Sequence, residues 1–326
     1  MTLTRRALIA AAGGLALSDA LRAQTDYPSK AIRMLVPFSA GGSPDLMGRL
    51  IANQLTRQMG QGVVVDNRLG ANGIVATEAV ANAPADGYTV LLTTGSHVIN
   101  PSIYRKLPYD SFADFAPVGL LSVAPALTLV VSPQSSIRSI RDFLTQARQP
   151  GTTISYGSPG TGNTLHLAGE LLNLMAGTHM LHVPYKGAAP ALNAVMAGEV
   201  TACFLSTAAA TLAVKGGQVR PLAVTSSQRI GAFPEVPTLA ESGIAGYDYN
   251  GGWIGVLAHA RTPRPILNRL QSEVAKALQV QEVKDKLNSW ESPPSTLSAE
   301  EFGKFLQTEH DKFARIVKQA NIPLQS

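Results

Sequence analysis

The sequence contains very little cysteine, since Cys203 is the single one among 326 residues. An intramolecular disulfide and a cysteine-based metal cluster are therefore excluded. No stretch after the first residues reaches the roughly 20 uninterrupted apolar residues that a membrane-spanning helix requires. Clusters of Lys and Arg with interleaved aromatic residues are also missing, although the net charge is +5 and the pI is near 9.3. Nucleic-acid binding is therefore not predicted.

The length and composition are those of a globular protein. With 326 residues the chain is long for a single core, which favours two domains. Hydrophobic residues make up 45% of the chain and charged residues 15%, a balance that is not typical of disordered proteins.

The first 23 residues have the features of an export signal. Arg5 and Arg6 precede an Ala-rich apolar stretch at residues 7–17, and Ala23 offers a small residue for cleavage before Gln24. The paired arginines also fit a twin-arginine signal, with ordinary secretion as the alternative. The mature protein is therefore predicted to be soluble and located outside the inner membrane.

Apolar strands alternate with amphipathic helices in two series along the chain. This alternation predicts an α/β fold with mainly parallel sheets that helices cover on both faces. No linker separates the two series, so the chain is expected to cross between domains within strands. The predicted strands are 32–36, 63–65, 88–93, 127–131, 153–156, 180–183, 200–205, 221–225 and 252–258. The predicted helices are 44–59, 74–83, 139–148, 164–175, 188–197, 266–278, 283–287 and 299–320.

Residues 36–45 read VPFSAGGSPD and form a predicted turn from a strand into a helix. Ser43 is the predicted N-cap, and Asp45 complements the positive end of the helix dipole. Gly41 and Gly42 leave backbone N–H groups bare, so the turn could hold a carboxylate or phosphate oxygen. A turn without any ligand fits the segment equally well.

A second glycine-rich loop follows a later predicted strand. Residues 157–164 read GSPGTGNT, which matches the spacing of the phosphate-binding loop GxxxxGK[ST] except that Asn163 replaces the lysine. Without that lysine no cation compensates the negative charge of a nucleoside triphosphate, so nucleotide hydrolysis is not predicted. Ser158, Thr161 and Asn163 add neutral donors that suit a singly charged group.

The sequence predicts neither a catalytic centre nor a metal site. The serine-hydrolase pattern GxSxG and the zinc pattern HExxH are both absent. His166 and Glu170 lie four residues apart and could share a metal ion, but no third ligand follows at a familiar spacing. His166, His179 and His182 are therefore interpreted as structural, and no cofactor is predicted.

The assembled motifs resemble those of the periplasmic solute-binding proteins of tripartite tricarboxylate transporters, often called the Bug family. The matching segments run in the order of the family from about residue 27 to the C-terminus. They read YPSKAIRMLVPFSAGGSPD, VVVDNRLGANG, APADGYTVLL, NPSIYRKLPYD, FAPVGLL, ISYGSPGTGNTLHLAGELL, HVPYKGAAPAL, PLAVTSSQR and FPEVPTLAESG.

The resemblance implies a two-lobed periplasmic-binding-protein fold of type II. Each lobe would be a mainly parallel sheet flanked by helices, and one small ligand would bind in the cleft between the lobes. The expected divisions are residues 1–23 for the signal peptide, 24–125 with 251–326 for the first lobe, and 126–250 for the second. The implied function is that of a periplasmic monomer that captures a small organic carboxylate and delivers it to the membrane subunits of the transporter, without catalysis, metal or cofactor.

The resemblance also implies which residues hold the ligand. In the family, the loop after the first strand and the glycine-rich loop of the middle lobe hold a ligand carboxylate between them. Two further segments, matching the turn after the third strand and the VPYKG motif, would border the pocket. The candidate ligand-binding residues are Phe38, Ser39, Ala40, Gly41, Gly42, Thr94, Ser96, Ser158, Gly160, Thr161, Gly162, Tyr185, Lys186, Gly187 and Leu205.

The chain departs from the family pattern at one informative position. Many members read Phe-Asp-Asn where this chain has Phe204, Leu205 and Ser206, and the aspartate commonly faces the far end of the ligand. Leu205 offers neither a charge nor a hydrogen bond, so a ligand with an ammonium group is disfavoured. An aromatic or short aliphatic carboxylate is predicted instead. A binding protein that signals to a membrane receptor, and an enzyme on the same scaffold, are the alternatives.

Overall fold

Two five-stranded sheets form the two lobes in the computed structural model, which describes residues 27–325. The predicted export signal and its cleavage site lie outside these residues. The first lobe starts with β1 (Ile32–Val36), α1 (Ser43–Met59), β2 (Val63–Asn67), α2 (Ile74–Ala81), β3 (Thr89–Thr94), α3 (Ser96–Ile103) and β4 (Phe115–Val123).

The second lobe follows without a linker, and the chain then returns to the first. The second lobe contains β5 (Leu127–Val131), α4 (Ile140–Ala147), β6 (Ser155–Ser158), α5 (Thr164–Ala176), β7 (Leu181–Pro184), α6 (Ala188–Ala197), β8 (Ala202–Ser206), α7 (Thr207–Lys215) and β9 (Arg220–Val224). The chain returns with β10 (Trp253–His259), α8 (Arg264–Gln279), α9 (Gln281–Ser289) and α10 (Ala299–Gln319).

Both sheets are mixed but mainly parallel, which confirms the predicted fold class. The first has the strand order β2-β1-β3-β10-β4, and β10 is antiparallel to both of its neighbours. The second has the order β7-β6-β8-β5-β9, and β5 is the strand that runs against its neighbours. The remaining four strands of each sheet share one direction, so their carboxyl ends meet at one edge.

Two short crossing segments connect the lobes and are hydrogen-bonded to each other. The backbone N–H of Ala124 donates to the carbonyl of Gly252, and the N–H of Gly251 donates to the carbonyl of Ala124. Gly251 has no room for a side chain, because a Cβ there would lie 2.2 Å from the carbonyl oxygen of Ala126. This pairing places the cleft edges of the two sheets next to each other. The predicted divisions near residues 125 and 250 stay a prediction.

Three groups of buried apolar side chains hold the elements together. One group, which includes Met34, Ile51 and Val274, lies between the first sheet and helices α1 and α8. A second belongs to the second lobe alone. The largest contains residues of both lobes, such as Leu129 and Trp253, so apolar packing continues across the cleft. In the part of the chain that the structure describes, no helix is both long and apolar enough to span a membrane.

Three elements are absent from the sequence-based prediction. Helix α3 occupies a segment for which no helix is predicted, and Pro101 lies within it. Strand β4 contains Pro117 and Gly119, which are unfavourable in central strands, but it is the edge strand of its sheet and pairs with β10 on one side. Helix α7 reads TAAATLAVK and has a weak apolar period, because alanine marks neither face clearly.

The prediction that Ser43 caps α1 is wrong. Gly42 occupies the N-cap position in an extended conformation, and Ser43 is the first helical residue. The side chain that serves the helix start is Asp45, whose carboxylate accepts a hydrogen bond from the backbone N–H of Gly41 at 2.9 Å. The hydroxyl of Ser43 is free for another partner because Asp45 performs this role.

Candidate functional site

A cavity of about 280 Å³ lies between the two lobes, at the carboxyl ends of the parallel strands. The first lobe contributes the loop after β1, the end of β3 and the start of β10. The second lobe contributes residues that follow β6, β7 and β8. Ligands of α/β proteins bind beyond the carboxyl ends of such strands, so this cavity is the candidate functional site.

Four helices begin at the wall of the cavity. Helix α1 follows β1, α5 follows β6, α6 follows β7 and α7 follows β8. Ser43, Thr164 and Ala188 at the starts of the first three, and Ser206 at the N-cap of α7, all line the cavity. The first N–H groups of a helix have no partner within it, and the helix dipole places partial positive charge there. Backbone groups therefore make this part of the wall attractive to an anion.

Among the described residues, no charged side chain and no histidine contributes to the wall. The polar side chains on it are hydroxyls and amides: Ser39, Ser43, Thr94, Ser122, Asn163, Thr164, Ser206, Gln218 and Ser292. The other lining residues are apolar, glycine or proline, and they include Trp253 and Trp290. This wall combines oriented dipoles with apolar surface and offers no general base.

Asp45 and Asn67 hold the loop after β1 in place from behind. The amide of Asn67 donates to the carbonyl of Phe38 and to the carboxylate of Asp45, each at 2.9 Å. Arg49 also donates to Asp45, with Nε 3.0 Å from Oδ2. Desolvation raises the pKa of Asp45, but hydrogen bonds from Arg49, Gly41 and Asn67 outweigh it and leave that pKa below its ordinary value. Asp45 is thus a buried, ionised support for the loop.

A pair of histidines supports the glycine-rich loop of the second lobe. The Nδ1 atom of His166 accepts a hydrogen bond from the N–H of Gly162 at 3.1 Å, and the Nε2 atom of His182 lies 2.6 Å from the hydroxyl of Ser158. The two rings pack with their centroids 3.9 Å apart. The hydroxyl of Ser158 also accepts from the N–H of Gly160 at 3.2 Å. Both ends of the loop therefore depend on this pair.

Burial keeps both histidines neutral. Desolvation and, to a smaller extent, the neighbouring His182 together lower the pKa of His166 to about 3. Desolvation also lowers the pKa of His182 to about 4. Behind them, the hydroxyl of Tyr156 donates to Glu170 Oε1 at 2.6 Å, and His166 Nε2 lies 3.7 Å from the same oxygen. In the described part of the chain, no group of three or more His, Cys, Asp or Glu residues is arranged to hold a metal ion.

Six of the predicted ligand-binding residues line the cavity. Four of them belong to the loop after β1, one to the end of β3 and one to the end of β8: Phe38, Ser39, Gly41, Gly42, Thr94 and Leu205. The remaining nine do not contribute to the wall: Ala40, Ser96, Ser158, Gly160, Thr161, Gly162, Tyr185, Lys186 and Gly187. Their immediate neighbours Pro159, Asn163 and Ala188 do line it.

Several of those nine residues lie where the lobes touch. The hydroxyl of Ser96 donates to Asn72 Oδ1 at 3.0 Å and accepts from the amide of Asn163 at 3.4 Å, which joins the lobes. A Cβ on Gly162 would lie 2.8 Å from Ile103 Cδ1, and one on Gly187 would lie 2.9 Å from Ser39 Oγ. These positions allow the lobes to approach each other closely.

Other wall residues are not among the predicted site residues. Leu46 and Met47 of α1, Leu192 of α6, Trp253 of β10 and Trp290 after α9 all line the cavity. Trp253 could have been identified from the sequence, because it is the first residue of a strand and directly follows Gly251 and Gly252 at the cleft. The others reach the cavity only through the packing of distant elements.

Two buried polar atoms near the cavity have no hydrogen-bond partner among the described residues. They are the hydroxyl of Ser122 and the indole N–H of Trp253, and both side chains are 2% exposed. Both residues also line the cavity. Buried polar groups are nearly always hydrogen-bonded, so these two atoms are positions at which the protein could bind a further polar partner.

Comparison with known proteins gives consistent matches over most of the chain. Residues 47–322 match the sequence profile of the tripartite tricarboxylate transporter family receptor. Protein BugT from Bordetella pertussis is 32% identical to this chain over 301 residues, which cover 92% of each protein.

Two solved structures with bound ligands share the fold of this chain. One is Rpa4515 from R. palustris with adipate, at 33% identity and a TM-score of 0.87 over 92% of this chain and all of that one. The other is MatC from Rhodopseudomonas palustris with bound malate, at 27% identity and a TM-score of 0.83 over 89% of this chain and all of the other.

Proposed function

The chain belongs to the tripartite tricarboxylate transporter receptor family, and we propose that it is an exported binding protein that captures a small organic carboxylate and delivers it to a transporter of that type. The family resemblance in the sequence is thereby confirmed. Members of this family are periplasmic solute-binding proteins. Export through the predicted signal, delivery to a membrane partner and a monomeric state are parts of the proposal.

The convergence of four helix starts on an uncharged cavity carries this proposal. Residues at the starts of helices α1, α5, α6 and α7 line one space, and no lysine or arginine of the described residues lines it. Such a wall suits a singly charged carboxylate, whose oxygens accept several backbone hydrogen bonds. A phosphate ester with two charges would lack a compensating cation there.

The family supports the choice of a carboxylate over other anions. The two ligand-bound relatives hold adipate and malate, which are both dicarboxylates. In this chain Leu205 lines the cavity and is buried, and it offers no partner to a charged group at the far end of a ligand. We therefore propose a ligand with one carboxylate and an apolar remainder, of aromatic or short aliphatic type.

We propose binding without catalysis, and the composition of the same wall supports this. A hydrolase or a lyase would require a general base or an activated nucleophile within reach of the ligand. The described side chains on the wall include no histidine, cysteine, lysine or acid. Asp45, the acid closest in sequence to the first loop, is engaged with Gly41, Arg49 and Asn67.

Thermal-shift screening followed by calorimetry tests the proposal. The panel contains aromatic and aliphatic monocarboxylates, dicarboxylates, and the primary amide of each acid as a neutral control. A ligand that binds only the folded state raises the melting temperature in proportion to its occupancy. We expect shifts with acids and none with the matched amides. A panel in which no carboxylate stabilises the protein, or in which amides act equally, would contradict the proposal.

A further inference from the structure

One face of α7 forms an apolar wall that leads away from the helix starts. Ala208, Ala209, Leu212 and Ala213 all line the cavity, and their spacing of one and four residues places them on a single helix face. The face extends over about 7.5 Å at a rise of 1.5 Å per residue. We refer to the space along these four residues as the α7 trough. The three alanines leave room for a guest beside the helix.

The first lobe also presents apolar side chains to this cavity. Leu46, Met47 and Ile254 line it, together with the indole of Trp290. Leu192 of α6 adds a further apolar contact from the second lobe. Among the described residues, no charged side chain lines this wall. A chain of methylene groups would therefore be desolvated on several sides without burying a charged side chain.

The α7 trough reaches solvent at its outer end. Leu212 lines the cavity and is nevertheless 62% exposed, and Gln218 next to it is exposed as well. The inner end, by contrast, lies at Ser206, the N-cap of α7. The cavity thus has a closed end with oriented N–H groups and an open end with apolar surface.

We propose that the α7 trough holds the alkyl chain of a linear monocarboxylate. The carboxylate lies at the helix starts, and the chain runs along Ala208, Ala209 and Ala213 toward Leu212. This inference rests on the proposed function and specifies its ligand class as amphipathic, straight-chain acids.

A series of straight-chain acids tests the trough. Calorimetry with butanoate, hexanoate, octanoate and decanoate should give an affinity that rises about fourfold for each methylene buried. The rise should stop at the length at which the chain passes Leu212 into solvent. An affinity that does not change from butanoate to decanoate would overturn the trough and leave the carboxylate proposal intact.

Two matched ligand series test the α7 trough and the carboxylate proposal separately. Dicarboxylates of the same lengths should bind more weakly than the monocarboxylates, because their second charge would lie in the apolar trough. Tighter binding of the dicarboxylates would overturn the trough. Primary alcohols should bind far more weakly than the acids. Equal binding of alcohols and acids would contradict the carboxylate proposal while supporting the trough.

Two variants of α7 test the placement of the chain. Ala209→Leu fills the trough, so octanoate should lose at least tenfold in affinity while butanoate changes by less than about threefold. Leu212→Ser alters an exposed position at the mouth and should weaken only the acids long enough to reach it. Ala197→Leu is the control, because it is also an alanine-to-leucine change but lies at an exposed position of α6 outside the cavity wall. The affinities for octanoate and butanoate should both stay unchanged in this variant. Equal losses for butanoate and octanoate in both α7 variants would overturn the proposal.

Discussion

The hydroxyl oxygens of Ser43 and Ser206 lie 2.7 Å apart, and their hydrogen bond joins the start of α1 in the first lobe to the N-cap of α7 in the second. Both residues line the cavity. Periplasmic binding proteins close by a hinge motion of their lobes around a ligand. A hydrogen bond across the cleft is made only when the lobes are together, so it stabilises the closed form selectively.

Ser43→Ala should weaken ligand binding by about fivefold, because a hydrogen bond of this kind contributes about 1 kcal/mol net. The effect should fall mainly on the dissociation rate, since affinity changes within one complex usually do. Stopped-flow kinetics and calorimetry measure both quantities. The melting temperature of the unliganded protein should hardly change, because Ser43 does not cap its helix.

A double-mutant cycle provides the control for this bond. Ser206→Ala removes both the cleft contact and the N-cap bond from the N–H of Ala209, which is 3.4 Å long, so it should cost more than Ser43→Ala. Combined with Ser43→Ala, it should show a coupling of about 1 kcal/mol in binding. Strictly additive losses would mean that the two hydroxyls do not act together.

Gly42→Val should abolish ligand binding and leave the fold largely intact. Gly42 lines the cavity at the start of α1, where a bulky side chain would separate the backbone N–H groups from a carboxylate. Its backbone is extended, and a Cβ would meet Ser39 O at 3.5 Å and Pro44 Cδ at 3.8 Å, which are ordinary contacts. Calorimetry and a thermal melt are the measurements.

Gly62→Val is the matched control for this change. A Cβ at Gly62 has Ala31 Cβ as its nearest neighbour at 3.9 Å, and the residue lies outside the cavity wall. Binding should persist in this variant. Undiminished affinity in Gly42→Val would show that the ligand lies elsewhere.

The order of the elements is readable from the sequence because each apolar strand and each amphipathic helix carries its own local pattern. Ile32–Val36, Leu127–Val131 and Ala188–Ala197 agree residue for residue with the prediction. Helix α7 is missed because its alanines fit neither an apolar nor a polar face. That omission matters for function, since one face of α7 lines the cavity.

The candidate site is only partly readable from the sequence. Loops that follow parallel strands can be located from local signals, and several of their residues line the cavity. The contribution of Trp290 depends on how α9 packs against the rest of the first lobe, and no local pattern encodes this. Ser158 and Gly162 instead bind His182 and His166, so their direct contact with a ligand stays a prediction.

The stability of the fold should fall as the pH is lowered through the range in which free histidine titrates. Burial lowers the pKa of His97 to about 4 and, with the values near 3 and 4 for His166 and His182, keeps three histidines neutral in the folded protein. In the unfolded chain they take up protons near pH 6.5. The folded state thus binds fewer protons, and its full stability is present only above about pH 6.5.

Urea unfolding at about pH 7.5 and about pH 5.5 should differ by on the order of 4 kcal/mol, at roughly 1.4 kcal/mol for each of the three histidines. The contribution of the histidines to this loss should continue to grow toward pH 4 and then level off as their folded-state pKa values are reached. His166→Gln should reduce the slope by about one proton. An unfolding free energy that is constant over this range would contradict the neutral burial of these rings.

Gly95→Ala should hinder closure of the lobes without straining the backbone. Gly95 has an ordinary helical φ of −50° at the start of α3, but a Cβ there would lie 2.8 Å from Cγ2 of Thr164 in the second lobe. Overpacking of this kind costs about 1–3 kcal/mol, so the affinity should fall by roughly five- to 150-fold. Small-angle scattering with saturating ligand should show a larger radius of gyration than for the parent protein.

Thr164→Ser removes the clashing methyl group and keeps the hydroxyl, so the Gly95→Ala, Thr164→Ser double variant should bind nearly as tightly as Thr164→Ser alone. If Gly95→Ala binds as the parent does, or if Thr164→Ser gives no rescue, the close approach at this point is not required for the bound state.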